Sequence, residues 1–448
     1  MISIIGITCI LLALLLCIYY RNVVNPAALM LVLWGFMILF SGSGLYDVGI
    51  PSTAIYLIIV VGLSSFVIGT LLGERTETRI RQCRRFDSSL FSIDFNYKFL
   101  TLIMIAVMVF LMYQTGHAVN LIRRGYSLAD IRKMLYAYEE NEMRSSSLIV
   151  SLQKFFVDPA VCLLTSYIPA AILMKPGVNK EKHRVLLYGS VACLALSILS
   201  SGGRLNIVAL ALYFITCYVI QKDRGGDAIQ RKRLRKTGVL VALVVLVLLV
   251  ATLGITLIRG GHSFDLIRHL FIYLGAPIRF FEYNVDLVTA QGIDNYFGSS
   301  SLYGFFYPFF FILRIFTGSY PAFLTQMRAV AVTNLQDVVT MGSGIRINAF
   351  ATLFFQPYLD GGLIGVVVFL FGFGFLSGYA YRSAIKNRNL YGLMFYMMFQ
   401  YQIIFSMVRF WFTQVTHAVW VLFIIVAVVR VPTKQSTTHT DKNRTIYA

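Results

Sequence analysis

Between Ile258 and Gly362 the chain places six arginines, Arg259, Arg268, Arg279, Arg314, Arg328 and Arg346, and no lysine. Elsewhere it uses both residues freely. A guanidinium is a rigid planar fork that grips phosphate or carboxylate with two parallel hydrogen bonds, whereas an ammonium is a hydrated point charge. Six acids share the stretch (Asp265, Glu282, Asp286, Asp294, Asp337 and Asp360), so surface pairing is a second reading for any one arginine. That reading explains the set poorly, because several arginines lie in strongly apolar sequence. Arg314 does so inside "SLYGFFYPFFFILRIFTGSYP", and Arg409 in "SMVRFWF" repeats the pattern. Arg204 stands in "LSSGGRLNIVALAL", where a permanent charge at bilayer depth is costly unless it lies near a surface or meets an anion. Arg204, Arg259, Arg279, Arg314, Arg346 and Arg409 are therefore the expected anion-binding set.

The groups that could move a proton beside such an anion are few. Glu282 follows Arg279 by three residues, which puts both on one face of a helix. There it serves either as a base or as the group that orients Arg279. Asp360, in "QPYLDGGLIG", is either an ion-pair partner for an arginine or a helix cap. Asp265 and His269 complete the candidates. The Gly-Ser-Gly that precedes Arg346 suggests a backbone loop able to approach an anion. Gln414 lies one turn before His417, as a buried hydrogen-bonded pair would. The six cysteines lack metal-ligand spacing, and no His-x-x-x-His pair, phosphate-binding glycine loop or nucleophile elbow occurs. No metal or cofactor is expected.

The elements that must position these residues are membrane helices. Of 448 residues 58% are hydrophobic and only 13% charged, against roughly a quarter charged in soluble domains. Apolar runs long enough to cross a bilayer recur, so the fold class is an all-α polytopic membrane protein. About eleven spans are expected, at 2–20, 27–41, 52–72, 99–115, 148–174, 185–203, 205–221, 237–257, 363–381, 391–408 and 413–430. The layout is then eight spans in 1–257, a large, partly helical outer loop at 258–362, three spans in 363–430 and a tail at 431–448. The opening apolar run lacks a basic leader and a small-residue cleavage site, and reads as the first span. Ser127 and Asp130 form a capping-box pattern, which predicts a short outer helix near 128–141. "GFGFLSG" at 372–378 is a small-residue face suited to helix–helix contact.

Orientation follows from the positive charge. One set of loops carries 25 of the 39 basic residues and 8 of the 20 acidic ones, a net of +17, and the other side carries +2. The first side is expected to be cytoplasmic. The net charge of +19 is thus a loop property, and nucleic-acid binding loses its support.

Three stretches resemble a known family. "SSGGRLNIVALAL" is similar to a Gly-(Gly/Ser/Thr)-Arg turn between two spans, "SLYGFFYPFFFILRIFTGSYP" to an outer-loop element, and "INAFATLFFQPYLDGGLIG" to a Tyr-x-(Asp)-x-Gly-x-x-Gly approach to a late span. The family they resemble is that of the oligosaccharide repeat-unit polymerases, the O-antigen polymerase (Wzy) group. Leu313 stands where that family's outer-loop element has proline, and no tryptophan follows Arg314. The resemblance implies a GT-C-like membrane glycosyltransferase in the bacterial inner membrane, with its active site facing the periplasm. Its donor and acceptor would be undecaprenyl-diphosphate-linked glycans, and it would need no nucleotide sugar, cofactor or metal. The product would be O-antigen or capsular polysaccharide. Arg204, Arg314, Glu282 and Asp360 would be catalytic, and membrane lipids, a chain-length regulator and a flippase would be its partners. An O-antigen ligase using the same donor, or a transporter of lipid-linked sugars, are the alternatives.

The charge imbalance makes a direct prediction. In a chain whose native cysteines are replaced by serine, Asn295→Cys should react with an impermeant maleimide in cells whose outer membrane is permeabilised, and Ser436→Cys should not. The reverse pattern would invert the assigned orientation.

Overall fold

The computed structural model describes residues 2–83, 91–127, 130–131, 134, 147–174, 180–201, 203, 205–222, 228–260, 265–292, 295–386 and 389–432. In chain order the elements are α1 (Ile2–Tyr20), α2 (Pro26–Ser41), α3 (Thr53–Cys83), β1 (Phe91–Phe95) and α4 (Tyr97–Arg123). Helix α5 (Ser147–Leu152) runs through a π-turn into α6 (Asp158–Met174), followed by α7 (Lys180–Ser201), α8 (Leu205–Lys222) and α9 (Ala228–Gly260). Then come α10 (Leu266–Leu274), α11 (Ala276–Ala290), α12 (Tyr303–Thr317), α13 (Ala322–Arg328) and the hairpin β2 (Val339–Met341) and β3 (Ile345–Ile347). Last are α14 (Thr352–Ile385), α15 (Leu390–Ile404), α16 (Val415–Ala427) and β4 (Val428–Pro432), which pairs antiparallel with β1.

Among the described residues eight helices are long and apolar enough to cross a membrane: α1, α3, α4, the joined α5–α6, α7, α8, α9 and α14. The eleven expected spans coincide with these eight and with α2, α15 and α16, which have 16, 15 and 13 residues. Local signals set several starts. Asn25 caps α2 by accepting from the amides of Ala27 and Ala28, with Pro26 at the first helical position. Asn96 and Asn389 cap α4 and α15 in the same way. Ser127 and Asp130 exchange the two hydrogen bonds of a capping box, while most of the helix expected at 128–141 lies outside the described residues.

The most extensive helix contact joins α3 to α14. The two run parallel, since Gly62 meets Val366, Gly69 meets Phe371 and Thr78 accepts from Arg382. Glycines let the backbones touch. A Cβ on Gly69 or Gly73 would lie 2.2 or 2.1 Å from the carbonyl oxygen of Phe371 or Phe375, and one on Gly374 or Gly378 would lie 2.1 or 2.2 Å from that of Phe66 or Thr70. Both helices thus carry a small-xxx-small face, and the "GFGFLSG" segment packs as expected. At the end of the pair that holds Arg382, Asn25, the cap of α2, also donates to the buried Glu74 of α3 at 3.1 Å.

The stretch expected as an outer loop differs from expectation at its end. Helix α14 begins at Thr352, eleven residues before the expected span, and is broken at Gly361–Gly362. Gly362 takes φ +57 and ψ −139, a conformation that demands glycine. Apolar residues before the break, Leu353, Phe354, Phe355 and Leu359, are buried, which is why the helical segment starts early. Trp34 of α2 is fully buried against Phe354, with ring centroids 4.6 Å apart, and its Nε1 donates to Ser406 Oγ at 2.9 Å.

These contacts predict unequal effects of adding one methyl group. Gly374→Ala should destabilise the detergent-solubilised protein by about 1–3 kcal/mol, as overpacking does. Gly372→Ala, whose Cβ would meet nothing within 4 Å, should leave Tm unchanged or higher. Equal Tm values for the two variants would remove the α3–α14 contact as a source of stability.

Candidate functional site

The sequence element around Arg314 folds back on itself. Helix α12 ends at Gly318, which adopts φ +77 and donates its amide to the Arg314 carbonyl, a glycine stop of the left-handed type. The chain reverses and brings Tyr320 over the Arg314 guanidinium, with Cζ 5.0 Å from the ring centroid. Tyr320 donates to the Tyr307 hydroxyl at 3.2 Å. Arg328, at the end of α13, lies with its Cζ 5.9 Å from the Tyr307 ring. Phe155 stacks on Tyr307, with centroids 5.6 Å apart and rings 11° from parallel. Two arginines are thus seated on two hydrogen-bonded tyrosines, a cation–π arrangement that restricts both guanidinium groups. Burial pushes the Tyr307 hydroxyl pKa up, the Tyr320 hydroxyl adds to this, and Arg328 and Arg314 oppose it. The face of α12 around this shelf exposes Phe309, Ile312, Ile315 and Phe316.

Arg409 lies elsewhere. It is buried in the irregular segment between α15 and α16, paired with Thr352 in a β-bridge and with Cζ 6.0 Å from the Trp411 ring. Buried non-helical backbone must have its polar groups met by protein. The start of α14 does this: the Leu353 amide donates to Ser406 O at 2.7 Å, and Gln356 Oε1 accepts from the Phe410 amide at 3.1 Å. Thr352 itself sits at φ +68, a strained conformation for a β-branched residue. Gly304, near the start of α12, packs on the carbonyls of Phe412 and Gln414. The segment that holds Arg409 thus meets the start of α12 at Gly304, and Arg314 lies ten residues further along that helix, a rise of roughly 15 Å from Gly304.

Both carboxylates singled out in the sequence hold backbone. Glu282 is ion-paired with Arg279, and its Oε1 accepts from the Ser52 amide at 2.8 Å, just before α3. Asp360 is buried and accepts from the amides of Ser300 at 2.9 Å and Ser301 at 2.7 Å. Neither of its two readings is adopted: Asp360 lies inside α14 and braces the turn before α12, whose N-cap residue Leu302 has no side-chain cap bond. Both groups brace loops, an arrangement suited to architecture rather than proton transfer.

The remaining expected residues scatter. Arg346 is exposed on β3, opposite Thr340. The Gly-Ser-Gly turn before it approaches the protein's own backbone: a Cβ on Gly342 would lie 2.2 Å from Tyr46 O, and the Ser343 amide donates to that oxygen at 2.8 Å. Arg268 Nη2 donates to Gly344 O at 2.8 Å, tying the same turn to α10. The ring of His269 faces Asp265 O at 3.0 Å on that helix. His417 sits among the rings of Tyr401, Trp411 and Trp420 rather than on the Gln414 side chain. Arg259 is in the last turn of α9, but its side chain, like the whole of Arg204, lies outside the described residues. Among the described residues no three His, Cys, Asp or Glu side chains converge as metal ligands.

Sequence reasoning passed over Arg328, Tyr307 and Tyr320 as partners of Arg314. The Gly318 stop was the available signal, since it reverses the chain toward Arg314.

Compared with family models, with characterised proteins and with solved structures, the chain matches none.

The Asp360 brace gives a stability prediction. Asp360→Ala leaves two buried amides without acceptors and should cost about 1–3 kcal/mol, seen as a lower Tm in detergent and faster proteolysis at the 296–301 turn. An unchanged Tm would show that the turn holds itself.

Proposed function

We propose that the protein is a membrane glycosyltransferase that joins oligosaccharide repeat units carried on undecaprenyl diphosphate into O-antigen or capsular polysaccharide. The observation that carries this reading is the arginine–tyrosine shelf beside an exposed apolar helix. A polyprenyl diphosphate has the same division into apolar chain and compact anionic head. The head would sit against Arg314 and Arg328, and the chain along Phe309, Ile312 and Phe316, which face outward. When the glycosidic carbon passes to an acceptor hydroxyl, the diphosphate leaves with developing charge. Positively charged groups fixed beforehand stabilise that charge without reorganising. Arg204 and Arg409 are the further candidates for the leaving group in this reading.

The resemblance of the three sequence stretches to the repeat-unit polymerases supports the same reading. It carries with it a GT-C-like fold of eleven spans, in which α2, α15 and α16 also cross the membrane. It also carries placement in the bacterial inner membrane with the shelf toward the periplasm, and a flippase and chain-length regulator as pathway partners. A second reading, a transporter of lipid-linked sugars, draws on the break in α14, since transport proteins build sites at discontinuous helices. The two differ in product: a transporter moves the glycan and forms no new glycosidic bond.

The test uses purified protein in nanodiscs with a fluorescent lipid-linked repeat unit. The wild type should yield a ladder of lengthened products. Arg314→Lys and Arg328→Lys keep the charge but lose the fork, and each should slow the reaction about 10- to 150-fold, the loss of one charge-assisted contact. Full activity in both lysine variants would remove the shelf from the mechanism, and flux of intact substrate without lengthening would favour transport.

A further inference from the structure

Beside the break in α14 two clefts adjoin, of about 450 and 340 Å³, sharing Gly292 and Asn295 in their walls. Among the described residues no charged side chain lines either one, although arginines lie close by. The larger is walled by Asn295, Tyr296, Phe297, Ser299, Phe323 and Gln326. This is a lining of aromatic rings, carboxamides and a hydroxyl.

Phe297 is held there against its own preference. It adopts φ +49, a conformation unusual for a bulky residue, and its ring is 89% exposed. The turn is imposed from outside: the amides of Tyr296 and Phe297 donate to the carbonyls of Leu359 and Asp360, and the Asp360 carboxylate takes the amides of Ser300 and Ser301. Strain of this kind persists only where surrounding structure over-determines it, and it gathers at ligand sites. Across the cleft, Phe323 and Gln326 stand three residues apart on the exposed face of α13, while Leu324 and Met327 are buried beneath them.

Helix α13 also ties this cleft to the arginine shelf, because it ends in Arg328. From Arg328 back to Gln326 is a rise of roughly 3 Å, and to Phe323 roughly 7.5 Å. Arg328 thus lies within one helical turn of Gln326 along the axis, on a different face of α13. An aromatic face covers the C–H face of a pyranose, and a carboxamide offers a donor and an acceptor to neighbouring hydroxyls. Such a wall recognises a neutral polyhydroxylated ring, whereas a lipid chain would leave Asn295, Ser299 and Gln326 without partners.

We propose that this cleft binds the uncharged pyranose residues of the lipid-linked glycan nearest its diphosphate, stacked on Phe297 and Phe323 and hydrogen-bonded by Asn295 and Gln326. The proposal rests on the glycan-transfer reading.

The experiment measures two affinities on full-length protein in nanodiscs. One probe is the oligosaccharide released by mild acid from the producing cells' lipid-linked glycans, and the other is undecaprenyl diphosphate without sugar. Phe323→Ala and Gln326→Ala alter exposed side chains, and each should weaken the oligosaccharide about tenfold, the loss of one well-made contact, while leaving undecaprenyl diphosphate binding unchanged. Arg328→Ala should do the opposite. In a Phe297→Trp variant, tryptophan emission should shift when the oligosaccharide is added and should not be quenched by brominated phosphatidylcholine. Unchanged oligosaccharide affinity in both cleft variants overturns the proposal. So does quenching by the brominated lipid, which would make these rings a bilayer anchor. If the variants lose the oligosaccharide but the wild type never lengthens a lipid-linked repeat unit, the sugar site stands and the transfer reading falls.

Discussion

Backbone contact between α3 and α14 is the constraint on which the rest of the structure depends. In hydrocarbon there is no hydrophobic drive to press two helices together, so association rests on close packing. The four glycines Gly69, Gly73, Gly374 and Gly378 allow that closeness, each facing a carbonyl oxygen of the other helix. Fixing α14 in this way fixes what its first turns hold. Gln356 and the Leu353 amide secure the irregular segment before α16, and Asp360 secures the turn before α12. Helices α12 and α13 are placed by those two segments, and with them the arginine shelf and the uncharged cleft.

The break at Gly361–Gly362 has a role in this arrangement. A continuous helix would point every residue of 352–385 along one axis. The left-handed Gly362 lets the first nine residues turn away and present Asp360 to a neighbouring turn. The carboxylate then accepts from two consecutive amides, so a buried charge is met by hydrogen bonds rather than by a cation. Glu282 does comparable service at the start of α3, though there Arg279 shares the charge. Glu282 and Asp360 thus both hold backbone in place.

Features encoded within a few residues were legible in the sequence. The Ser127–Asp130 box and the small-residue face at 372–378 depend on neighbours one helical turn away, and each is present. The apolar runs gave the long helices for the same reason. Contacts between distant parts of the chain were not legible. Nothing at Glu282 announces Ser52, 230 positions away, and nothing at Asp360 announces Ser300 and Ser301. The start of α14 was misplaced because a Gly-Gly pair after an aspartate reads as a boundary, whereas here it is a bend inside one element. The Gly-Ser-Gly before Arg346 misled in a related way. Close backbone approach was the correct inference, but the object approached is the protein's own Tyr46 and Asp47.

The shelf shows how a small group of residues can be stiff at a surface. An unrestrained arginine loses close to 2 kcal/mol of side-chain entropy when it is fixed. Here part of that cost is met before any ligand arrives. Arg314 occupies the last turn of α12, where a cation is favoured by the negative end of the helix dipole, and Tyr320 covers it from the far side of the Gly318 stop. Arg328 is placed differently, since helical backbone continues past it through a π-turn at Ala329–Thr333, and Tyr307 is its platform. Because the two tyrosines are hydrogen-bonded to each other, displacing one arginine's platform disturbs the other's. The pair should therefore behave as a unit toward an anion, with a coupling that neither arginine would have on a separate loop.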